Sequence, residues 1–471
     1  MNNCAPGQVA ILGFANLAAV LIGSAAGEAA PRGGYGIGFF ITLAVFLFVL
    51  LAIGLRWMHE TTAALLGAVV LWLIHYLGGT FFPALRIISF DESVAVVDWN
   101  VIFLILGMMI FMAMFSETGF FRWLAFQGFR LARGNAWLLG LMLVLITAAT
   151  SSLLNNVTAM LLLVPLSIEI AQTVRVHPFA YVIPEVMAAN IGGAATLIGD
   201  PPSTIVGSYL GLGFFEYAVQ AVPVAIVSLL VLVGLSALLY RHDLAGARKS
   251  PAPALVQELE ARGRITDVAL LRKASVVGVV TLVLFFVADL FGLPPSVVAM
   301  TGAVWLIVWV RPDMHLMLRE VDWTTLFFFV GIFVLVGGLE KAGVIGWFAQ
   351  EIEVLAGGSL TLATVLMVWV SGLVSGIVDN IPYTIAVLPI AEHLSATIPA
   401  AQGNPVLFWA LIFGADFGGN LTYVGGAANI VAVGLLAQAG YRMGFGRFVR
   451  DGVLAVTVTL LVATVWLLIR Y

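Results

Sequence analysis

The sequence predicts an all-α polytopic membrane protein with about 11 transmembrane helices in two inverted repeats. Of its 471 residues, 62% are hydrophobic and only 10% are charged, whereas roughly a quarter of the residues of a soluble domain are charged. Apolar runs near the ~20 residues that cross a bilayer recur along the chain. The single cysteine, Cys4, cannot form an internal disulfide, and no basic arm suggests a nucleic-acid partner.

The first 35 residues are assigned to an N-terminal helix. Residues 8–28 form a Gly/Ala-rich apolar run, and small residues follow at 24–30, so a signal peptide is the alternative. The positively charged segment that opens most signal peptides is missing. A transmembrane helix is therefore the favoured interpretation.

The first repeat is predicted at 36–240. Ordinary apolar spans come first and are followed by an interfacial helix, in which arginines interrupt the apolar residues. A re-entrant hairpin, a broken span and a last span complete the repeat, and the break arises because Pro201 and Pro202 cannot continue a helix. In order, the elements lie at 36–55, 61–78, 97–115, 120–134, 136–173, 179–213 and 217–240.

A polar linker is predicted at 241–273, and the second repeat follows at 274–471. It has the same order of spans, interfacial stretch, hairpin, broken span and last span. These elements lie at 274–291, 295–310, 323–339, 344–356, 359–397, 405–437 and 451–470.

Fixed offsets between the two halves indicate a duplication. Val97–Trp99 recurs as Val321–Trp323, and Asn156 recurs at the same offset as Asn380. At a slightly larger offset the broken spans also match, and their glycines recur at equivalent positions. Chance similarity between apolar helices would not preserve one offset through Asp, Trp and Asn.

Charge placement predicts that the second copy is inverted. Each repeat makes an odd number of crossings, so the next copy must start on the opposite side. With the linker 241–273 in the cytoplasm, only four of the 21 Lys and Arg residues lie on the outer side of the membrane, as the positive-inside rule requires. These four are Arg32, Arg86, Lys341 and Arg470. We therefore expect an integral protein of the cell inner (plasma) membrane.

Four polar interruptions mark the candidate site. Two are hairpin tips, Asn155-Asn156 and Asp379-Asn380, and two are breaks, Gly199–Ser203 and Gly425–Asn429. Non-helical backbone at membrane depth is tolerated only where protein or water surrounds it. Interrupted helices at matching positions of two repeats are typical of transporter binding sites, so we expect the four places to meet near the midplane.

Acidic residues at these depths are the candidates for ion coupling, because each costs roughly 2.5–3.5 kcal/mol on insertion scales. Asp200, Asp379, Asp416 and Glu185 are predicted to bind a proton or a cation. Helix capping is the alternative for Asp200 and Asp379, and the counterpart of Asp416 is the uncharged Asn190.

Neutral side chains near the interruptions are predicted to bind the solute, although Ser and Thr in membrane helices also bond their own backbone. The candidate substrate-binding residues are Asn155, Asn156, Asn380, Thr158, Thr384, Thr422 and Asn429, with Thr196 and Ser203 as further oxygens. A sodium site is predicted at Asn156, Gly199, Asp379 and Gly425. No cofactor is expected besides Na⁺ or H⁺ as coupling ion. No Lys or Arg maps to the interruptions, which weakens a mechanism for a multiply charged anion alone.

Motifs of soluble enzymes are absent from the sequence. It has no H-E-x-x-H, no G-x-S-x-G and no Walker loop. Without a nucleotide site, an ion gradient must supply the energy for transport. An ion channel on the same scaffold is the alternative from a different class.

Three segments resemble the ion transporter superfamily, in the branch with a citrate transporter-like domain that holds the arsenite-pump membrane subunit, the melanosomal P protein and NhaD-type sodium/proton antiporters. The segments are NNVTAMLLLVPLSIEIA at 155–171, NIGGAATLIGDPPS at 190–203 and DNIPYTIAVLP at 379–389. The resemblance implies a homodimer in which each subunit has a scaffold domain and an elevator-like transport domain.

The resemblance also ranks the candidate functions. It implies proton-coupled exchange of a small inorganic solute, similar to arsenite efflux, with sodium/proton antiport as the close alternative. Sodium-coupled di- or tricarboxylate transport ranks third, since the Ser-Asn-Thr of those symporters is replaced by Asn155-Asn156-Val157 and Asp379-Asn380-Ile381.

Overall fold

The computed structural model describes residues 36–55, 57–246, 261 and 263–471. The N-terminal helix predicted within 1–35 and part of the predicted linker lie outside these residues. Across the described ranges the regular structure is entirely helical, with no β-strand. This confirms the predicted all-α class.

The helices of the first repeat follow the predicted order. They are α1 (Ile37–Gly54), α2 (Glu60–Leu73), α3 (Phe90–Val96), α4 (Trp99–Ser116), α5 (Phe120–Ala132), α6 (Ala136–Ser151), α7 (Asn156–Val174), α8 (Phe179–Gly193), α9 (Pro201–Tyr209) and α10 (Phe214–Leu239). A π-helical turn, Ile74–Gly78, extends α2 toward Phe81.

The second repeat has the same order of long helices. They are α11 (Val268–Ala288), α12 (Pro295–Val310), α13 (Trp323–Lys341), α14 (Val344–Ala356), α15 (Leu360–Ser375), α16 (Asn380–Thr397), α17 (Val406–Gly418), α18 (Ala427–Gln438) and α19 (Phe445–Arg470).

Eight helices in the described part of the chain are long and apolar enough to cross a membrane. Further apolar helices are shorter, and they include both arms of the broken span α17–α18 and the first arm of each hairpin. Short apolar helices are expected where a segment turns back or is interrupted within the membrane. The count of 11 crossings stays a prediction.

The helix boundaries repeat as the sequence offsets predict. α6 and α7 begin at Ala136 and Asn156, and their counterparts α15 and α16 begin at the equivalent positions, Leu360 and Asn380. The helices α5 and α14, which the sequence predicts to be interfacial, each follow a left-handed glycine, Gly119 with φ 77° and Gly343 with φ 79°. A residue with a side chain would be strained at either glycine, so the same local geometry recurs in both copies.

The described residues divide into two compact units. The first unit contains α1–α3, Trp323–Gly358 and Ile385–Ile398. The second unit contains Trp99–Asp322, Ser359–Thr384 and Pro399–Tyr471, and therefore both helix breaks and both hairpin tips.

Both broken spans are interrupted by extended backbone. Asp200 precedes α9 with φ −139° and ψ 147°, and two prolines then occupy the first helical positions, where a missing N–H costs no helical hydrogen bond. In the second break a 3₁₀ turn, Gly419–Leu421, is followed by an extended Gly426 before α18. The predicted breaks are thus present in the structure.

Candidate functional site

The two hairpin tips are capped in the same way. Asn155 accepts a hydrogen bond from the backbone N–H of Val157 at 2.8 Å, and its counterpart Asp379 accepts one from Ile381 at 3.0 Å. Such side-chain acceptors satisfy the free N–H groups at the start of a helix. Asn155 and Asp379 therefore fix the first turns of α7 and α16.

Each tip is fastened to the broken helix of its own repeat. The Ser151 hydroxyl donates to the carbonyl of Ala189 at 2.9 Å, and the corresponding Ser375 donates to Ala415 at 2.6 Å. Both serines are fully buried. The hairpin tips are thus held against the helices α8 and α17, in which every residue is buried, within the second unit.

Four asparagines form a buried network that we call the amide cluster: Asn156, Asn190, Asn420 and Asn429. Asn156 Nδ2 donates to Asn190 Oδ1 at 3.1 Å, and Asn190 Nδ2 donates to Asn420 Oδ1 at 2.8 Å and to Asn429 Oδ1 at 3.2 Å. Asn420 Nδ2 in turn donates to a carbonyl of α8, and Asn429 Nδ2 donates to two carbonyls of the second break. Each amide donates and each accepts, so the cluster is satisfied without a ligand.

The positions equivalent to Asn156, Asn190 and Asn429 hold Asn380, Asp416 and Ser203. A second carboxyl group, that of Asp200, lies beside them. We call Asp200, Ser203, Asn380 and Asp416 the acid cluster. Asn380 Nδ2 donates to Asp416 Oδ1 at 3.4 Å and to Asp200 Oδ2 at 3.3 Å, and Ser203 Oγ donates to Asp416 Oδ2 at 3.1 Å. The two carboxyl groups thus share one amide nitrogen and lie next to each other.

The contacts between the two copies are reciprocal. Asn190 of the first copy bonds Asn429 of the second, and the counterparts of those two residues, Asp416 and Ser203, bond each other. A pattern in which residue i meets residue j′ while i′ meets j is the signature of a two-fold relation. The repeat predicted from the sequence is therefore present at the centre of the second unit.

The acid cluster lacks a compensating positive charge. Asp416 is 0% exposed and Asp200 is 5% exposed, and no Lys, Arg or His of the described residues pairs with either carboxyl group. Two neighbouring buried carboxylates cannot both stay ionised without a counter-charge. A proton or a cation placed here would offset the charge of the pair.

Tyr217 of α10 lies beside the acid cluster and was not predicted from the sequence. Its hydroxyl donates to the carbonyl of Ala194 at 3.3 Å and faces Ser203. The ring is fully buried and lies 4.9 Å from the ring of Trp409. Only its alignment with the apolar Phe448, which has the same place in α19 as Tyr217 has in α10, could have singled it out.

The predicted hydroxyl ligands are engaged with backbone. Thr196 donates to the carbonyl of Ser152, its counterpart Thr422 donates to Gly376 at 2.7 Å, and Thr384 donates to Asn380 at 2.7 Å. Such bonds are common for Thr in membrane helices. A role in binding solute stays a prediction for Thr384 and Thr422, and also for the half-buried Thr158.

The predicted coupling residues separate into different environments. Asp200 and Asp416 lie together, whereas Asp379 caps α16. Glu185 is 0% exposed in α8, where its Oε2 accepts from Ser167 Oγ at 2.9 Å. Its other carboxyl oxygen has no hydrogen-bond partner among the described residues.

Two of the four predicted sodium positions, Gly199 and Gly425, are places of close backbone approach. A Cβ at Gly199 would lie 2.5 Å from the carbonyl oxygen of Gly193, and one at Gly425 would lie 2.8 Å from that of Gly419. Only glycine permits these contacts. A sodium site there stays a prediction, and no cluster of three His, Cys, Asp or Glu side chains suited to a metal occurs in the described residues.

Sequence comparison places this site in a family. The model of the citrate transporter family, CitMHS, matches residues 46–414. The chain belongs to the CitMHS family. It is thus a membrane transporter, and the matched range includes both hairpins and the first break.

Relatives of this CitMHS member cover most of its length. The chain is 36% identical to a "46 kDa membrane protein" of Mycobacterium leprae over 92% of this chain and 98% of that protein. It is 38% identical to an uncharacterized transporter of Mycobacterium tuberculosis over 81% and 89% of the two chains. It is 32% identical to the human P protein over 88% of this chain and 58% of that protein.

A solved structure supports the fold. The crystal structure of the Alcanivorax borkumensis YdaH transporter, described as having an unusual topology, matches with a TM-score of 0.57 over 88% of this chain and 99% of that one. The sequence identity is 13%, so the likeness concerns the fold alone.

Proposed function

We propose that this CitMHS transporter moves a small solute in exchange for protons that bind the acid cluster. The observation that supports the proposal is the contact between Asp200 and Asp416, two buried carboxyl groups without a cationic partner in the described part of the chain. Ionisable groups at membrane depth are costly, and in transporters they mark ion and proton sites. Asp200 and Asp416 are thus the coupling residues of the proposal, ahead of Asp379 and Glu185.

Proton binding would change the charge of the site without moving its backbone. With one proton held between the carboxyl groups the pair carries a single negative charge, and with two protons it is neutral. The Asn380 amide, which touches both carboxyl groups, transmits either change to the tip of the second hairpin. A solute that contacts this tip would bind with different affinity in the two states, which is the requirement for coupling.

The expected solute is small and neutral, or singly charged. The hairpin-tip residues Asn155, Asn156 and Asn380 offer amide groups, and the two clusters contain no cationic side chain. A neutral inorganic oxyacid such as arsenous acid can hydrogen-bond to amides without a counter-charge. Citrate, after which the family model is named, carries several carboxylates and would need co-bound cations next to Asp200 and Asp416.

Sodium/proton antiport is the second candidate function. The acid cluster presents carboxylate, amide and hydroxyl oxygens, which are the ligands that hard cations prefer. Na⁺ and protons would then compete for Asp200 and Asp416, and no separate solute would be needed.

The proposal extends to the manner of movement. All residues of both clusters belong to the second unit, so the site could travel with that unit in an elevator-like motion. We further propose a homodimer in the inner membrane, with 241–273 on the cytoplasmic side. Cross-linking in native membranes and protease access to 241–273 test these two points.

Transport in proteoliposomes tests the coupling. Vesicles containing the purified protein and the trapped pH-sensitive dye pyranine receive arsenite, sodium chloride or sodium citrate, with and without an imposed pH gradient. We expect arsenite movement to follow the pH gradient, and Asp416→Asn to lower the coupled proton flux by about tenfold or more, the equivalent of ~1.4 kcal/mol. The exposed Glu216→Gln variant is the matched loss of an acid and should transport normally.

The three arms separate the candidates. A proton signal with sodium chloride alone identifies sodium/proton antiport, and one that requires citrate identifies carboxylate transport. Arsenite flux that ignores the pH gradient, or an Asp416→Asn variant with normal coupling, contradicts the proposal.

A further inference from the structure

The acid cluster continues into a chain of hydroxyl groups that the amide cluster does not have. Ser203 Oγ donates to Asp416 Oδ2 at 3.1 Å, and the Tyr217 hydroxyl contacts Ser203 and lies 3.3 Å from the carbonyl oxygen of Ala194. The counterparts of Ser203 and Tyr217 are Asn429 and Phe448. Phe448 is as fully buried as Tyr217 but has no hydroxyl, so the chain exists on the acidic side alone.

We propose that Ser203 and Tyr217 form a reversible hydrogen-bond chain that accommodates Asp416 with and without its proton. The inference rests on the proposed proton coupling and names two positioning residues for it. Neither residue carries the transported proton. They turn their hydroxyl hydrogens to match the state of Asp416.

In both directions of the chain, every hydroxyl and carboxyl hydrogen has an acceptor. When Asp416 lacks a proton, Tyr217 donates to Ser203 and Ser203 donates to the carboxylate. When Asp416 gains a proton, the carboxylic acid donates to Ser203, Ser203 donates to Tyr217, and Tyr217 donates to the carbonyl of Ala194. One proton enters at Asp416, no covalent bond of the hydroxyl groups needs to break, and the chain reverses by rotation of two O–H bonds.

The terminal carbonyl makes the reversal feasible. Tyr217 is 0% exposed, and a buried hydroxyl hydrogen without an acceptor is costly. Ala194 lies in the first break, just beyond the end of α8, so its carbonyl oxygen can accept the Tyr217 hydrogen bond without taking one from a complete helix. The other titratable group facing Asp416 is Asp200, and the described residues place no Lys, Arg or His against the pair.

Removal of the Tyr217 hydroxyl should affect the two states unequally. In Tyr217→Phe the protonated Asp416 still donates to Ser203, but the Ser203 hydrogen then loses its acceptor. The unprotonated state loses only a donor to Ser203, which costs less. Proton uptake by the acid cluster should therefore need a lower pH in this variant.

Infrared difference spectroscopy measures the uptake without a transported solute. Purified protein in lipid is titrated with acid, and the C=O band of protonated carboxyl groups that is lost in Asp416→Asn and in Asp200→Asn is assigned to the pair. We expect Tyr217→Phe to lower the midpoint of that band by on the order of 0.5–1 pH unit, the effect of one hydrogen bond. Tyr383→Phe is the matched control, because it removes another buried tyrosine hydroxyl that bonds a serine, Ser371, at 3.1 Å.

A double-mutant cycle separates the chain from an indirect effect. If the hydroxyls act in series, Tyr217→Phe should have no further effect once Ser203→Ala has interrupted the chain. A midpoint unchanged by Tyr217→Phe, or an equal shift with and without Ser203, overturns the inference while leaving proton coupling intact. A wild-type pair that takes up no proton at any pH overturns both.

Discussion

Asn190 and Asp416 occupy equivalent positions of the two repeats, and each accepts a hydrogen bond from the asparagine at a hairpin tip. The distances are 3.1 Å from Asn156 Nδ2 to Asn190 Oδ1 and 3.4 Å from Asn380 Nδ2 to Asp416 Oδ1. The backbone support of the two positions is the same, yet one holds an amide and the other an acid. A duplicated fold has thus produced one cluster of amides and one with two neighbouring carboxyl groups.

Replacing the acid by an amide at one position and the amide by an acid at the other should change the free energy of unfolding by unequal amounts. Asp416→Asn replaces a repulsive contact by an amide that can donate to Asp200, so we expect unchanged or higher stability together with loss of coupling. Asn190→Asp removes the hydrogen-bond donor to Asn420 and Asn429 and buries an additional carboxyl group. We expect it to lower the free energy of unfolding by about 2–5 kcal/mol. Reversible unfolding in mixed micelles measures both values, and an equal loss of stability in the two variants would contradict the assignment.

Gly193 controls the space between the two clusters. A Cβ there would lie 2.7 Å from Asn156 Oδ1 and 2.9 Å from Asp200 Cβ. We expect Gly193→Ala to cost about 1–3 kcal/mol through overpacking and to reduce coupled transport. In Gly234→Ala the new Cβ meets nothing within 4 Å inside α10, and this control should gain up to ~1 kcal/mol. Normal transport by Gly193→Ala would show that the two clusters act independently.

The sequence predicts the architecture well, because each predicted element rests on a strong local signal. Pro201 and Pro202 must end a helix, and the constant offset between the repeats fixes where α15 and α16 begin. The composition alone requires helices at membrane depth. Helix boundaries therefore agree closely with most predicted spans, although α11 and α19 begin earlier than predicted, at Val268 and Phe445.

The partners within the site are harder to predict. Asp379 has the same residue type as Asp200 and lies in an equally polar interruption, yet it caps α16, whereas Asp200 faces Asp416. Which acids meet depends on how helices cross in space, and a linear pattern does not contain that information. Tyr217 was missed for the same reason, since it contacts Ser203 across helices.

The ion pair of Glu92 and Lys341 gives the first unit a pH-dependent stability. The hydrogen bond from Lys341, followed by bonds from Ser89, lowers the pKa of Glu92 to about 2. Because the pKa of Glu92 is lower in the folded protein than its ordinary value of 4.5, the ionised carboxylate stabilises the fold at pH values above 4.5. This contribution disappears as the pH falls toward 2. Glu92→Gln should therefore unfold more easily than wild type at neutral pH, and the difference should shrink in acid.

Thermal unfolding of the two proteins across this pH range measures the difference. The neighbouring Asp91 is exposed in the same first turn of α3 and provides the control, Asp91→Asn. A gap between wild type and Glu92→Gln that stays constant from neutral pH into acid would show that the ion pair does not contribute.

A buried tyrosine joins the ends of α10 and α19. The Tyr240 hydroxyl donates to Asp451 Oδ2 at 2.8 Å, and Arg450 binds the other carboxyl oxygen at 3.0 Å. Burial and the nearby Asp451 raise the pKa of Tyr240 above its ordinary value, so the hydroxyl keeps its proton over the usable pH range. Tyr240→Phe preserves the ring but leaves one oxygen of a buried carboxylate without its donor.

We expect this variant to lose about 1–3 kcal/mol of stability, with coupling unchanged because Tyr240 lies in neither cluster. Tyr441→Phe is the control, since the Tyr441 hydroxyl accepts a single long bond from Gln172 at 3.5 Å and its loss should cost little. Unfolding in mixed micelles compares the two. Equal values would mean that the Arg450 pair alone holds Asp451, because the exposed guanidinium could then satisfy the carboxylate without the tyrosine.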